Sequence, residues 1–389
     1  MISRFPITSN LLPILFFVCL SAHAPAELSA ADLASVVRPF VDRHELAGAV
    51  MLVASKDKVI DIESVGYADL EHNKPMPLDA LFWIASQSKP MTATALMMLV
   101  DEGKVNVEDA VEKYLPEFKG QMLAVERDAQ HVLLRKPAHP ITVREILSHT
   151  SGLPFKSPME EPTLDLLRLR DAIRSYAIST LEFEPGTRYQ YSNAGINTAG
   201  RIIEVVSGVP YERFMEERLF KPLGMKDTTF WPSLSQLKRL AKSYKPGADN
   251  VGLHETAVTQ LQYPLNNRTR QPMPAGGLFS TAQDVARFCM MILNGGELDG
   301  KRYLSQAAIQ EMTRKQTGES VKDGYGFGWS TSGKTFGHGG AYATNMGIDT
   351  QRGLITIWMV QHAGFPGKGS EALGAFQQAA HEMFSANGP

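Results

Sequence analysis

Ser86-Gln87-Ser88-Lys89 leads into the apolar run Pro-Met-Thr-Ala-Thr-Ala-Leu-Met-Met-Leu-Val at residues 90–100. A run that is apolar nearly all round predicts a buried helix. Positions i and i+3 share a helix face, so we expect Lys89 to lie beside the Ser86 hydroxyl. Burial lowers the pKa of a lysine, and a neutral lysine can take the proton from a serine nucleophile. Free backbone N–H groups at a helix start can also stabilise an oxyanion.

The Ser-x-x-Lys pattern is weak by itself, because composition alone gives about one or two chance matches in a chain of this length. Only the match at Ser86 combines a helix start with an apolar setting, whereas the others lie in a polar turn and a basic stretch. A serine N-cap with a surface lysine is the alternative interpretation. The three matches are Ser55/Lys58, Ser86/Lys89 and Ser235/Lys238.

Composition sets the limits for the remaining interpretation. The chain has 389 residues, of which 43% are hydrophobic and 21% are charged, and its net charge is −2. This is an ordinary globular mixture, long enough for a large core. Because the sequence has no polybasic block, we expect no nucleic-acid partner. No zinc-ligand spacing is present, so we expect neither a metal nor a cofactor.

The N-terminal segment has the pattern of a signal peptide. Arg4 supplies a positive charge, and residues 11–20 form an apolar stretch too short to span a bilayer. Ala24-Pro25-Ala26 is a small-x-small cleavage site, so we expect residues 1–26 to be removed and the protein to be periplasmic or secreted. A retained anchor is the alternative. No later apolar run is long enough for a transmembrane helix.

Cysteine usage is consistent with an exported protein that needs no disulfide. After removal of the signal, Cys289 would be the sole remaining cysteine, and its apolar helical setting predicts a small buried side chain.

The order of patterns along the chain predicts an α+β fold. Both ends carry strand patterns, whereas residues 105–315 are mostly helical in pattern, so we expect an antiparallel sheet built from both chain ends and flanked by helices. A mainly helical subdomain (about 86–315) would be inserted into a sheet subdomain (about 27–85 and 316–389), within one catalytic domain at 27–389. The predicted helices lie at 30–45, 86–103, 193–206 and 369–384, and the predicted strands at 48–54, 59–67, 325–330, 343–349 and 354–361.

Two further segments carry residues that suit catalysis. Tyr191-Ser192-Asn193 precedes a predicted helix, and a buried tyrosine beside a lysine can act as general acid or base, while Asn193 can bind a substrate amide or carbonyl. His338-Gly339-Gly340-Ala341 lies beside a strand, where glycines permit a close backbone approach. The structural alternatives are an aromatic core pair with Asn193 as helix cap, and a glycine-rich turn with a surface histidine.

Together, in order and spacing, the three segments resemble the motifs of the serine β-lactamase and penicillin-binding protein superfamily. The chain is most similar to the class C-like branch, which includes class C β-lactamases, D-amino-acid peptidases and β-lactamase-like carboxylesterases. The resemblance covers roughly residues 30–385 and implies a β-lactamase/transpeptidase-like fold.

The resemblance also implies a role for each matching residue. Ser86 would be the acylated nucleophile, Lys89 its base and Tyr191 the acid that protonates the leaving group. Asn193 would hold the substrate amide. The backbone N–H groups of Ser86 and Ala341 would form the oxyanion hole, with Gly340 beside them. These roles make the chain an exported serine hydrolase whose substrate is a small ester, β-lactam or D-peptide.

His338 departs from the lysine that many β-lactamases carry at this position. A mostly neutral histidine weakens carboxylate binding but can still donate a hydrogen bond. We therefore expect a carboxylesterase-type enzyme ahead of a β-lactamase or D-alanyl/D-amino-acid peptidase. A penicillin-binding sensor without turnover is the alternative of another class. His149, in the stretch His-Thr-Ser-Gly-Leu-Pro, is expected to be structural.

Overall fold

The protein is described here by a computed structural model that covers residues 1–2, 32–319, 321 and 324–384. Apart from its first two residues, the predicted signal peptide at 1–26 lies outside the described part. The strands are β1 (Gly48–Ala54), β2 (Val59–Asp69), β3 (Lys74–Pro75), β4 (Phe82–Trp83), β5 (Leu123–Arg127), β6 (Val132–Arg135), β7 (Ser243–Pro246), β8 (Leu253–Thr256), β9 (Phe279–Ser280), β10 (Glu297–Leu298), β11 (Lys301–Arg302), β12 (Gly324–Tyr325), β13 (Ser330–Ser332), β14 (Thr335–Gly339), β15 (Asn345–Asp349) and β16 (Leu354–Met359).

Helices lie near both ends of the described stretch 32–384 and recur between its strands. They are α1 (Leu33–Asp42), α2 (Ser88–Asp101), α3 (Val143–Leu147), α4 (Leu169–Ala177), α5 (Asn193–Ser207), α6 (Tyr211–Phe214), α7 (Lys221–Leu223), α8 (Leu234–Leu237), α9 (Ala282–Leu293), α10 (Gln306–Thr313) and α11 (Ala372–Phe384). Within the described residues, none of these helices is long and apolar enough to cross a bilayer.

The main sheet joins the two ends of the chain, as predicted. Within the described residues it has eight strands in the order β12-β13-β14-β15-β16-β1-β2-β3, and the pairs are antiparallel. Strand β1 pairs with β16 through Val50 and Met359, so an early strand lies directly beside a late one. The α+β fold class is therefore confirmed.

Strand β1 is buried along its whole length and is apolar on both faces. Alternate side chains of a strand point to opposite faces of the sheet. Helices α1 and α11 cover one face, and the helical part of the chain covers the other. Ala49, Met51 and Val53 pack in the apolar cluster that contains α1 and α11. Val50, Leu52 and Ala54 pack in the apolar cluster on the opposite face.

Two element predictions were wrong. The predicted strand at 325–330 is a hairpin of β12 and β13, because Gly328 adopts φ 76° between them, a left-handed conformation that glycine accommodates. The stretch 105–315 is less helical than predicted, since it also contains the hairpins β5–β6, β7–β8 and β10–β11. The division into a sheet and a helical subdomain stays a prediction, while residues from Asp32 onward group as one compact unit.

Candidate active site

Ser86 lies in a 3-10 turn, Ala85–Gln87, that runs directly into the buried helix α2. Ala85 adopts φ 45°, a conformation that is costly for a residue with a Cβ. The Ser88 hydroxyl donates to the Ala85 carbonyl over 2.6 Å and helps to hold the turn. The serine therefore has a fixed position at the entrance of the helix.

Lys89 is fully buried one helical turn after Ser86. Its Nζ atom lies 3.1 Å from Ser86 Oγ, 2.8 Å from Asn193 Oδ1 and 2.8 Å from the Ala275 carbonyl oxygen. Burial holds the pKa of Lys89 well below its usual value, which favours the neutral amine.

The three partners of Lys89 determine where its lone pair points. A neutral amine has two N–H donors and one lone pair. The Asn193 and Ala275 oxygens can only accept, so they take both N–H groups. The lone pair is then left for the Ser86 hydroxyl, which is the arrangement that a base needs before it can accept the serine proton.

Asn193 and Tyr191 are placed by the start of helix α5. Ser192 caps this helix, because its hydroxyl accepts from the Gly195 amide over 3.1 Å and donates to the Pro154 carbonyl over 2.7 Å. Asn193, the first helical residue, is therefore not the cap and points to Lys89. Since Oδ1 of Asn193 is engaged there, only its Nδ2 can donate to a substrate carbonyl.

Tyr191 faces both the nucleophile and the lysine. Lys89 Nζ lies 4.6 Å from the centre of the tyrosine ring, and Tyr191 lines the same cavity as Ser86. Burial raises the pKa of Tyr191 above its usual range, and the nearby Ser86 side chain only partly opposes this rise. The phenol thus keeps its proton at neutral pH and is suited to act as an acid.

His338 lies on strand β14 and is buried, with an exposed fraction of 6%. Its Nδ1 lies 2.7 Å from the Gly339 carbonyl oxygen, which can only accept, so Nδ1 carries the proton. Its Nε2 then accepts from the Tyr325 hydroxyl over 2.9 Å. Burial, followed by the nearby Lys89, lowers the pKa of His338 to about 3. The ring is therefore neutral and buried, which excludes the surface histidine considered as an alternative.

Gly340 and Ala341 follow β14 and bring the end of this strand close to Ser86. The Gly340 amide donates to the Thr344 carbonyl over 2.7 Å, which forms a tight turn. A Cβ atom at Gly340 would lie only 2.6 Å from the Ile84 carbonyl oxygen. The approach is possible only for glycine, and it leaves Ala341 and Ser86 lining the same cavity.

This cavity has a volume of about 260 Å³. Among the described residues that line it, none carries a formal charge. The lining residues are Trp83, Ala85, Ser86, Phe155, Leu164, Tyr191, Asn193, Gln260, Met273, Ala275, Gly276 and Ala341. The cavity thus suits a small neutral molecule held against Ser86.

The structure places all seven site residues predicted from the sequence close to one another. The sequence did not predict two contacts of these residues, that of Tyr325 with His338 and that of His149 with Tyr191. Tyr325 accounts for the orientation of His338, and His149 packs on both Tyr191 and Tyr325 with ring centres 4.5 Å apart. The conspicuous His-Thr-Ser-Gly motif was a signal for His149. No local pattern distinguishes Tyr325 from other strand tyrosines.

A possible metal cluster lies elsewhere. Asp69, Glu71 and His72 offer ligand atoms within 4.8 Å of one another, but none of them lines the cavity. Lys242 Nζ lies 3.2 Å from Asp69 and 3.5 Å from Glu71, so both carboxylates already pair with a cationic side chain. The expectation of no metal or cofactor stays a prediction.

The sequence matches the family described as Beta-lactamase over residues 33–380. An uncharacterized protein of Mycobacterium tuberculosis is 32% identical over 363 residues, covering 84% of this chain and 88% of that protein. Esterase EstB of Burkholderia gladioli is 27% identical over 381 residues, covering 86% of this chain and 92% of the esterase.

Solved structures share the fold. EstCE1, a hydrolase with promiscuous acyltransferase activity, has a TM-score of 0.75 at 24% identity and covers 90% of this chain and 97% of its own. A D-amino acid amidase from Ochrobactrum anthropi has a TM-score of 0.68 at 23% identity and covers 89% and 97%. At these identities the likeness shows the architecture alone.

Proposed function

Because the chain belongs to the Beta-lactamase family and is therefore a serine hydrolase, we propose that it is a carboxylesterase-type enzyme acting through an acyl-enzyme on Ser86. One observation carries this proposal. The buried Lys89 Nζ lies 3.1 Å from Ser86 Oγ and is held there by the Asn193 and Ala275 oxygens, each at 2.8 Å, so that a neutral amine would turn its lone pair to the Ser86 hydroxyl. A structural serine and lysine would not need this arrangement.

The contacts support a complete acylation step. Lys89 takes the proton from Ser86 as Oγ forms a bond to the ester carbonyl carbon. The backbone N–H groups of Ser86 and Ala341 stabilise the oxyanion. Tyr191 gives its proton to the leaving alcohol oxygen as the ester C–O bond breaks, and regains a proton from Lys89. Water then attacks the acyl-enzyme by the same route in reverse and releases the carboxylic acid.

The electrostatics of the cavity favour an ester over a β-lactam or a D-peptide. The last two substrates carry a carboxylate, which binds best to a cation or to strong donors. The described residues lining the cavity supply no cation, and both ring nitrogens of His338 already have partners within the protein. A neutral ester needs no such group. EstB, which is named an esterase, is in line with this preference.

We also propose export to the periplasm or the medium, on the sequence pattern of residues 1–26 alone. Edman sequencing of the protein recovered outside the cytoplasm would start at Glu27 if this is right. A first residue further upstream would contradict the cleavage site.

The test of function compares initial rates on p-nitrophenyl butanoate and on a chromogenic cephalosporin. We expect ester turnover, weak or absent cephalosporin turnover, and a loss of at least about 10³-fold in Ser86→Ala, because the nucleophile is removed. Matched controls are Ser55→Ala and Ser235→Ala, which remove the other two serines of this pattern and should stay near wild type.

The other outcomes separate the alternatives. Fast cephalosporin turnover would make the protein a β-lactamase. A stable adduct on Ser86 without turnover would indicate a penicillin-binding sensor. Undiminished ester hydrolysis in Ser86→Ala would contradict the assignment of the nucleophile.

A further inference from the structure

A buried ion pair lies behind one wall of the cavity. Arg270 Nε donates to Asp165 Oδ2 over 2.7 Å, and the exposed fractions of the two side chains are 2% and 0%. Desolvating two charges is costly, and such a pair is kept only where further hydrogen bonds satisfy its remaining atoms. Neither residue is part of the catalytic step described above.

The remaining polar atoms of the pair tie several loops together. Asp165 accepts from the Gln262 amide over 3.0 Å, and its carbonyl accepts from the Gln271 amide over 2.9 Å. Arg270 Nη1 donates to the carbonyl oxygens of Phe230, over 2.9 Å, and Leu265, over 2.5 Å. The pair therefore joins the loop around Asp165 to two other stretches of chain that have no regular structure of their own.

These same loops carry the apolar wall opposite the nucleophile. Leu164 directly precedes Asp165, and its amide donates to the Gln260 carbonyl over 3.0 Å. Leu164, Gln260 and Met273 all line the cavity, as does Phe155, which is 44% exposed at the other end of the loop. Any movement of the ion pair would displace this wall, whereas Ser86 and Tyr191 are held by segments outside these loops.

We propose that the Asp165–Arg270 ion pair is a positioning element that sets the length of the apolar group the cavity admits, with Leu164 as the contact residue. The inference rests on the proposed esterase function and specifies its substrate as an ester of a short, uncharged acyl chain. A cavity of about 260 Å³ lies below the range of roughly 300–1,000 Å³ typical of small-molecule pockets, in keeping with a short chain.

The test measures kcat and KM on p-nitrophenyl acetate, butanoate, hexanoate and octanoate for wild type, Asp165→Asn and Leu164→Ala. We expect wild type to prefer the short chains. In both variants the ratio of kcat/KM for octanoate to that for butanoate should rise by at least about tenfold, mainly through KM, because one substrate methylene more or less in an apolar pocket changes kcat/KM by about that factor.

The matched control is Asp284→Asn. Asp284 is also a buried carboxylate that anchors a loop, accepting from the Asp227 amide over 2.7 Å and from the Thr228 hydroxyl over 2.9 Å, but it does not line the cavity. Its chain-length profile should match wild type even where its melting temperature falls. General destabilisation would instead move the profile of the control as well.

Each result decides the matter. A shifted profile in Leu164→Ala together with Asp165→Asn supports the inference, and if Asp165→Asn does not fold, Arg270→Lys, which keeps the charge but not the guanidinium contacts, takes its place. Wild-type profiles in the variants that fold would overturn it while leaving the esterase function intact. Failure of wild type to hydrolyse any of the four esters would overturn the proposed function and this inference together.

Discussion

His149 holds the segment that carries Tyr191 from both sides. Its carbonyl accepts from the Gln190 amide over 2.9 Å, and its Nδ1 accepts from the Ser192 amide over 3.1 Å. Its ring also packs on the ring of Tyr191. The histidine adopts φ 61°, which Asn tolerates better than most residues with a Cβ. The expected structural histidine thus positions Tyr191, the proposed general acid.

This contact predicts different effects for two substitutions. His149→Ala removes the acceptor and the ring and should lower kcat on p-nitrophenyl butanoate by about 100-fold, as expected for a misplaced catalytic group. His149→Asn keeps a side-chain oxygen acceptor and the left-handed conformation. Its kcat should therefore be at least about tenfold higher than that of His149→Ala, with little change in KM. Equal losses of kcat in the two variants, in step with their melting temperatures, would contradict this role.

At this scale the sequence predicted some partners and not others. Ser86 and Lys89 are three residues apart on a helix, so their contact follows from helical geometry. The partner of His338 is Tyr325, which lies on another strand, and only the fold brings the two together. From the sequence, His338 was expected to be able to donate a hydrogen bond to the substrate. The sequence could not show that Tyr325 and the Gly339 carbonyl already occupy both ring nitrogens.

The end of strand β14 connects the sheet to the nucleophile. Gly337 pairs with Gly347 on β15, and three positions later Gly340 approaches the Ile84 carbonyl at the start of the nucleophile turn. The end of β14 and the turn before α2 thus share one close backbone contact. The position of the Ala341 amide depends on this contact.

Gly340→Ala should therefore lower kcat by at least about tenfold, because the new methyl group pushes the Ala341 amide away from the oxyanion position. Ester kinetics and circular dichroism melting would be measured together. The control is Gly374→Ala in helix α11, where an added Cβ meets nothing within 4 Å and activity should be unchanged. Full activity in Gly340→Ala would argue against an oxyanion role for this segment.

Strands were predicted accurately where the hydrophobic pattern of the sequence was continuous. Strand β1 was predicted at residues 48–54 and has those bounds, since a short apolar run that ends in a polar turn is typical of a fully buried strand. The hairpin β5–β6 was missed because its strands carry exposed apolar residues, such as Leu133 at 56%, without the alternation that marks a half-buried strand. Its pairing is a tertiary outcome that the local pattern does not encode.

Three buried histidines make the stability of the whole molecule depend on pH. Burial lowers the pKa of His362 to about 4, that of His338 to about 3, and that of His149 well below its usual value. An unfolded chain binds these protons near pH 6.5, whereas the folded protein does not. The unfolded state thus binds more protons below pH 6.5, and stability should fall as the pH is lowered.

His362 gives a test of this linkage away from the cavity lining. Its Nε2 accepts from the Ala47 amide over 3.1 Å, and Gln at this position can still accept while staying neutral. Between about pH 6.5 and 4, His362→Gln should remove a slope of up to about 1.4 kcal/mol per pH unit from the free energy of unfolding. Urea melts at several pH values measure this slope. The exposed His131→Gln is the control, and an unchanged slope in His362→Gln would refute the linkage.

The central claim, an acyl-enzyme on Ser86, is tested most directly by mass spectrometry of protein quenched in acid during turnover of p-nitrophenyl butanoate. The account predicts a butanoyl group on the peptide that contains Ser86, which disappears in Ser86→Ala and accumulates when deacylation is slowed. Turnover with an adduct on another residue, or with no covalent adduct under conditions that show a burst, would contradict it.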